Sequence, residues 1–266
     1  MNVLNFNEEV WDRGAVLYRD MPWRDNTDPY YVLVSELMLQ QTQVDRVIPK
    51  FHVFMSTFPT IADLAKASLS DVLTVWSGLG YNRRAKFLHL AAQKVVTAYH
   101  GVLPPRYEQL LSLPGVGPNT AGAILAYSFN QPVVFIETNI RTVYFHHFFE
   151  DQSSVTDTEL KELVAQTVDK EHPRQWYWAL MDYGSYLKKQ GVGRIEKSSH
   201  YKKQAPLKGS VREMRGLILK ALSRRDYVSF ELQANLPDDT RFQVALTALL
   251  SEGLISQTGD RLHLTR

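Results

Sequence analysis

The chain contains no cysteine. That excludes disulfides and every thiolate-held metal or iron–sulfur centre, and leaves no sign of an oxidising compartment. No stretch approaches the roughly 20 apolar residues of a membrane span. The first residues, MNVLNFNEEVWDRG, lack the basic segment and apolar core of a secretory leader. The expectation is a cytoplasmic protein with no membrane association. Strand signals are scarce before about Leu187, and no internal repeat is evident. What is present is apolar bulk: 44% of 266 residues is enough for one large domain or two modest ones with a true core.

The net charge of +2 conceals an asymmetry. From Lys188 to Arg225 there are twelve Lys and Arg against Glu196 and Glu213, a balance of +10, so the rest of the chain carries −8. Such a stretch reads either as a solvated linker or as the electrostatic footprint of a polyanionic partner.

Apolar residues recur at helical spacing from Asn7 to about Leu187, in short elements with clear punctuation. Asn7 is placed to cap EEVWDRGAVLYRD, Thr60 with Asp63 to cap IADLAKA, and Ser70 to start DVLTVWSG. Pro22, Pro29, Pro49 and Pro59 mark turns or first helical positions. The region therefore reads as an all-α bundle. GVGRIEKSSHYKKQAPLKGS, from 191 to 210, has no apolar period and reads as a linker. Three further helices follow, in VREMRGLILKAL, SFELQANL and TRFQVALTALLSEGLI, and then two short alternating runs separated by Gly259-Asp260. Three helices and a hairpin suggest a small winged-helix-like α+β domain, whose third helix is the recognition element if it meets DNA; the same module also serves protein contacts. The expected division is 1–188, a basic linker at 189–210, and 211–266.

The most specific local signal is LLSLPGVGPNTAGAILAYSF, Leu110 to Phe129. A helix ends, Pro114-Gly115-Val116-Gly117 turns tightly, and Pro118 opens a strongly apolar helix where its missing N–H costs nothing. Glycines let the backbone approach a ligand, and the N–H groups at the helix start form an anion site of the kind used to hold a DNA phosphate. Further on, VVFIETNIRTV drives an apolar run up to Glu137, Asn139 and Arg141. Locally this is a strand-like loop entering a helix, capped by Thr138 or Asn139, with Arg141 on the solvent side.

LPGVGPNTAGAIL followed by ETNIRTV resembles the helix-hairpin-helix base-excision DNA glycosylases, which flip a damaged or mispaired base out of the duplex. Upstream, MPWRDNTDPYYVLVSELMLQQTQVDRVIPKFHVFMSTFPTIADLA and VWSGLGYNRRAKFLHLAAQKV are similar to the MutY-like adenine glycosylases, and the likeness spans roughly Val10 to Leu187. The resemblance implies a two-lobed helical fold and removal of adenine opposite 8-oxoguanine or guanine. The implied partner is double-stranded DNA holding a mispaired or damaged base, bound by a monomer at the nucleoid.

It also implies residue roles. Glu36 matches the general acid that protonates adenine at N7, and its apolar neighbours Leu37 and Met38 would raise its pKa. Glu137 stands where the family carries Asp, with Asn139 matching the residue that orients the water. The extra methylene matters, because about 1 Å at a reacting centre can cost on the order of 100-fold. Gln40 and Gln41 match residues that approach the opposite strand, Tyr81 and Asn82 the second insertion point, and Arg24 a pocket residue near the flipped purine. Asn119 replaces the lysine nucleophile of bifunctional relatives, which implies base removal without strand cleavage. Phosphate contacts fall on Leu113, Gly115, Val116, Gly117 and Thr120.

Two family features are missing. Lys188 stands at the first of four cysteine positions that hold an iron–sulfur cluster in most relatives, so no cofactor is expected beyond a structural cation at the hairpin. The final residues read as a winged helix rather than the Nudix-like domain that reads 8-oxoguanine. Two alternatives therefore stand beside adenine removal: a mismatch thymine or uracil glycosylase, and an inactive lesion-binding protein.

Overall fold

A computed structural model of the chain describes residues 2–149, 152, 155–192, 206–237 and 240–266. Short helices follow one another as the apolar spacing requires. They are α1 (Val3–Leu17), α2 (Pro22–Asp25), α3 (Pro29–Leu39), α4 (Val44–Thr57), α5 (Ile61–Lys66), α6 (Leu69–Trp76) and α7 (Arg83–Tyr99). Next come α8 (Tyr107–Leu111), α9 (Pro118–Tyr127), α10 (Thr138–Phe148), α11 (Asp157–Thr167) and α12 (Pro173–Lys189). The carboxy-terminal part holds α13 (Val211–Leu222), β1 (Tyr227–Val228), α14 (Ser229–Ala234), α15 (Arg241–Ser251), β2 (Ile255–Thr258) and β3 (Arg261–Leu264). No helix among the described residues is long and apolar enough to cross a membrane.

Several starts are where the residues indicate. Thr60 and Asp63 form a reciprocal capping box on α5. Others move. The cap of α1 is Asn2, whose side chain accepts from Asn5 N at 2.9 Å, so Asn7 lies inside the helix it was expected to open. Ser68, not Ser70, caps α6, because Asp71 three residues on completes its box. Pro49 sits within α4 rather than at a turn. Burial of Val47, Phe51, Phe54 and Met55 on one face outweighs the single backbone bond that proline forfeits.

The chain divides into two compact units. One comprises Met1–Val32, Pro105–Ser112 and Val116–Lys203; the other comprises Leu33–Pro104, Leu113–Gly115 and Gln204–Arg266. The first is built on α12, which packs against α1 and α10 around a ring cluster in which Phe6 lies 4.9 Å from both Tyr144 and Phe148. In the second, α4 to α7 enclose Phe51, Phe54 and Trp76.

The carboxy-terminal residues belong to this second unit. Their order, α13–β1–α14–α15–β2–β3, with an antiparallel sheet ordered β1-β3-β2, is a winged-helix arrangement. The foreseen hairpin turns at Gly259-Asp260, where Gly259 has φ of 61° and Thr258 pairs with Arg261. β1 was not foreseen, since two residues show no period; it pairs Tyr227 with Leu262. This part docks on α7: Lys86 donates to the Glu252 carbonyl at 2.6 Å, satisfying the C-terminal end of α15. Of the expected linker at 189–210, residues 193–205 lie outside the described residues.

Candidate functional site

Glu137 is itself the N-cap of α10, in place of Thr138 or Asn139. Its Oε2 accepts from the Asn139 N–H at 2.7 Å, a bond only an acceptor set before the first turn can make. Arg141 is not on the solvent side. It is buried and donates to Asp157 at 2.8 Å, because one turn past the cap it faces α11. Burial pushes the Glu137 carboxyl above the usual carboxylate range; the Asn139 N–H, Lys188, the Thr138 N–H and Arg19 oppose this without cancelling it.

Two other helices of the first unit reach this carboxylate's segment. Asn119, in the first turn of α9, accepts from the Ile136 N–H at 3.3 Å through Oδ1. From α12, Lys188 Nζ donates to Asn139 Oδ1 at 3.2 Å. Gly184 makes the second approach possible, since a Cβ there would overlap the Asn139 carbonyl. Gly184→Ala should therefore force α12 and α10 apart, destabilise the fold by about 2–3 kcal/mol, and reduce any activity that depends on Asn139. Thermal unfolding of the purified variant measures this, and an unchanged midpoint would mean the two helices separate freely.

Arg24 is buried and clamps Asp182 of α12 with bonds of 2.7 and 3.0 Å, while Arg19 holds the same carboxylate at 2.6 Å. The Arg24 guanidinium lies 5.2 Å from the Tyr18 ring centroid and 5.3 Å from that of Trp178. Asp182 was not singled out from the sequence, although a carboxylate inside WALMDYGSYL signals a paired buried charge.

At the hairpin, Gly115 has φ of 78°, and a Cβ there would sit 2.8 Å from Phe87 Cβ, so both conformation and packing require glycine. Gly117 differs. It caps α9 with φ of −94°, which any residue adopts, and a Cβ there would meet nothing within 4 Å. The space beside the start of α9 is thus open to an incoming group. Leu113, Val116 and Thr120 are buried, so they offer backbone rather than side chains to it.

In the second unit, Glu36 lies half-buried on α3 between the buried Ser35 and Leu37. Gln40 and the exposed Gln41 form the turn that follows, Gln41 with φ of 56°. Tyr81, at φ of 47°, and Asn82 precede α7. One buried side chain joins these two turns. Arg84 donates to the carbonyls of Leu37 (2.8 Å), Met38 (2.9 Å), Gln40 (2.5 Å) and Gly80 (3.0 Å), and to Thr42 Oγ1 (3.1 Å). It thereby caps the end of α3 and fixes the turns at Gln40-Gln41 and Tyr81-Asn82. No motif in the sequence marks Arg84, yet it shares a helical face with Leu88, Ala91 and Val95, all buried.

Tyr81 is also held from the other side, by Arg212 of α13, whose Nη1 donates to its hydroxyl at 2.6 Å. Arg215 and Arg241 are likewise committed, to Glu252 and Glu213. The outward face of α15 presents Gln243, Val244 and Thr247, with no cation. Of the positive charge read from Lys188 to Arg225, Arg212 and Arg215 therefore work within the unit. Among the described residues, no group of three or more His, Asp or Glu is placed to hold a metal.

The family model described as HhH-GPD superfamily base excision DNA repair protein matches residues 34–166. The adenine DNA glycosylase of Buchnera aphidicola subsp. Baizongia pistaciae is 33% identical over 173 residues, which cover 64% of this chain and 48% of that protein. The chain thus spans about half the length of that relative. The adenine DNA glycosylase of Mycolicibacterium smegmatis is 31% identical over 265 residues, covering 91% of this chain and 89% of that one. A solved thermostable thymine-DNA glycosylase superposes with a TM-score of 0.62 at 26% identity, over 69% of this chain and 88% of its own.

Proposed function

Because the chain belongs to the HhH-GPD superfamily of base excision DNA repair proteins, we propose that it removes adenine from duplex DNA, opposite 8-oxoguanine or guanine, without cutting the strand. The observation that carries this reading is the likeness to the mycobacterial adenine glycosylase along nine tenths of the chain.

The chemistry must protonate a poor leaving group and stabilise an oxocarbenium-like sugar. Glu36 gives its proton to N7 of the flipped adenine as the C1′–N9 bond breaks. The Glu137 carboxylate stabilises the sugar cation, and Asn139 orients the water that adds to C1′. Neither Asn119 nor any other residue at the start of α9 carries an amine, so no imine forms there. Backbone N–H groups of Gly115 to Thr120 hold a phosphate at the hairpin, with Leu113 and Val116 anchoring the turn. Gln40, Gln41, Tyr81 and Asn82 occupy the gap left by the flipped base, as turns set by Arg84. Arg24 acts through Asp182, which it orients. The protein works as a monomer on mispaired duplex.

A second reading, removal of mismatched thymine or uracil, is favoured by the thymine-DNA glycosylase likeness and by Asn82 in place of a stacking ring. Single-turnover release from A:8-oxoguanine, A:G, T:G, U:G and hypoxanthine:T duplexes separates the two. The expected result is release from the first two alone. Release confined to T:G and U:G overturns the adenine reading, and binding without release from any duplex overturns both.

A further inference from the structure

An iron–sulfur cluster does not fit this chain: it has no thiolate, and at the first ligand position of its relatives stands Lys188, an amine on the last turn of α12. That side chain is turned to another use. We propose that Lys188 is a positioning residue of the base-release site, its ammonium orienting the Asn139 amide and placing a positive charge beside the Glu137 carboxylate. The proposal rests on the glycosylase reading above.

Geometry carries it. Gly184 lets α12 lie against the Asn139 backbone, and Lys188, four residues later, emerges on the same helical face. Its Nζ meets Asn139 Oδ1 at 3.2 Å, and the Asn139 N–H is bonded in turn to Glu137 Oε2 at 2.7 Å. An ammonium only donates, so the amide oxygen must face it, and Nδ2 is turned away, 3.9 Å from Met181 Sδ. A flipped amide would set two donors against each other.

The charge balance around Glu137 points the same way. The other charged group that acts on it is Arg19, from the segment after α1. Arg19 is bound to Asp182, which Arg24 also holds. Lys188 instead hydrogen-bonds a neutral amide, so its charge is not offset by that partner. Burial drives the Glu137 carboxyl towards its neutral form, which cannot stabilise a sugar cation, and Lys188 opposes this. Lys188 is exposed, so water and salt moderate the effect. The sign follows: without Lys188 the Glu137 carboxyl stays protonated to higher pH, so base release falls on the acid side of the profile and recovers as pH rises.

The test uses full-length Lys188→Met and Lys188→Arg proteins under saturating single-turnover conditions on an A:8-oxoguanine duplex, from mildly acidic to mildly alkaline pH. In parallel, ¹³C NMR follows the Glu137 carboxyl, assigned by its loss in Glu137→Gln. In Lys188→Met the acid limb of the rate profile and the carboxyl titration should both move up by about one unit. The rate constant on the acid limb then falls about tenfold, with the unfolding midpoint unchanged. Lys188→Arg should restore most of both. An unmoved carboxyl titration overturns the proposal, as does a moved titration with an unmoved rate profile. Weaker DNA binding with an unchanged rate constant would make Lys188 a phosphate contact and overturn it too. Should the unmodified protein release no base from any duplex, the glycosylase reading fails, and the carboxyl titration still decides whether Lys188 holds Glu137 ionised.

Discussion

Glu36→Gln should lower the single-turnover rate of base release by on the order of 100- to 10,000-fold while leaving duplex affinity and unfolding temperature nearly unchanged. The amide has the shape of the acid but no proton to give at neutral pH, so binding and folding survive while leaving-group protonation is lost. The residue is half-buried on α3, where Leu37 and Met38, both fully buried, supply the packing. That separation of roles makes the variant informative. Rapid-quench measurement of released adenine, with a gel-shift titration of the same duplex, reads both quantities. A rate within tenfold of the unmodified protein would remove Glu36 from the role of acid and leave the likeness to adenine glycosylases without its chemistry.

Arg84→Met should destabilise the protein by about 3–5 kcal/mol, since several buried carbonyls lose their donor together, the largest expected cost of any single change described above. Methionine replaces the apolar stem but stops short of the guanidinium, which now lies over the Trp76 ring. It cannot donate, so the carbonyls of Leu37, Met38, Gln40 and Gly80 all lose this donor at once. Burial lowers the Arg84 pKa to about 10, which still leaves the group charged near neutrality. Lysine would not rescue it, since a compact ammonium on a flexible stem cannot reach acceptors spread over two turns. Urea unfolding of Arg84→Met beside Arg83→Met, whose side chain is exposed, checks the value. Equal midpoints for the two variants would show that the fork is dispensable. Because the turns proposed to enter the DNA both hang on Arg84, partial unfolding there should also raise the dissociation constant for mispaired duplex.

Glu137 illustrates how far residue identities carry. The apolar run ending in an acid and an amide was legible as a loop entering a helix, and the departure from Asp was visible at once. What the acid does locally was misread: it caps α10 itself, and Thr138 and Asn139 are the first helical residues. Ser, Thr, Asn and Asp dominate N-caps, so a glutamate is passed over by the ordinary rule. The longer side chain still reaches the Asn139 N–H at 2.7 Å. The extra methylene is thus taken up in a hydrogen bond within the turn.

Features written in short-range patterns were set by the sequence itself: the helical run, the Thr60 box, the Gly115 turn before Pro118, the three helices and the Gly259-Asp260 hairpin. Each depends on residues within a few positions of one another, where periodicity, capping and left-handed backbone act directly. Tertiary structure decided the rest. Arg84 gathers carbonyls from more than forty residues away in sequence, Asp182 collects Arg19 and Arg24, and Lys188 meets Asn139. Those meetings depend on which helix faces pack and how closely, as Gly184 allows for α12 against α10. No local pattern encodes that, because a charged side chain looks the same in sequence whether its helix turns it to water or to a buried row of acceptors.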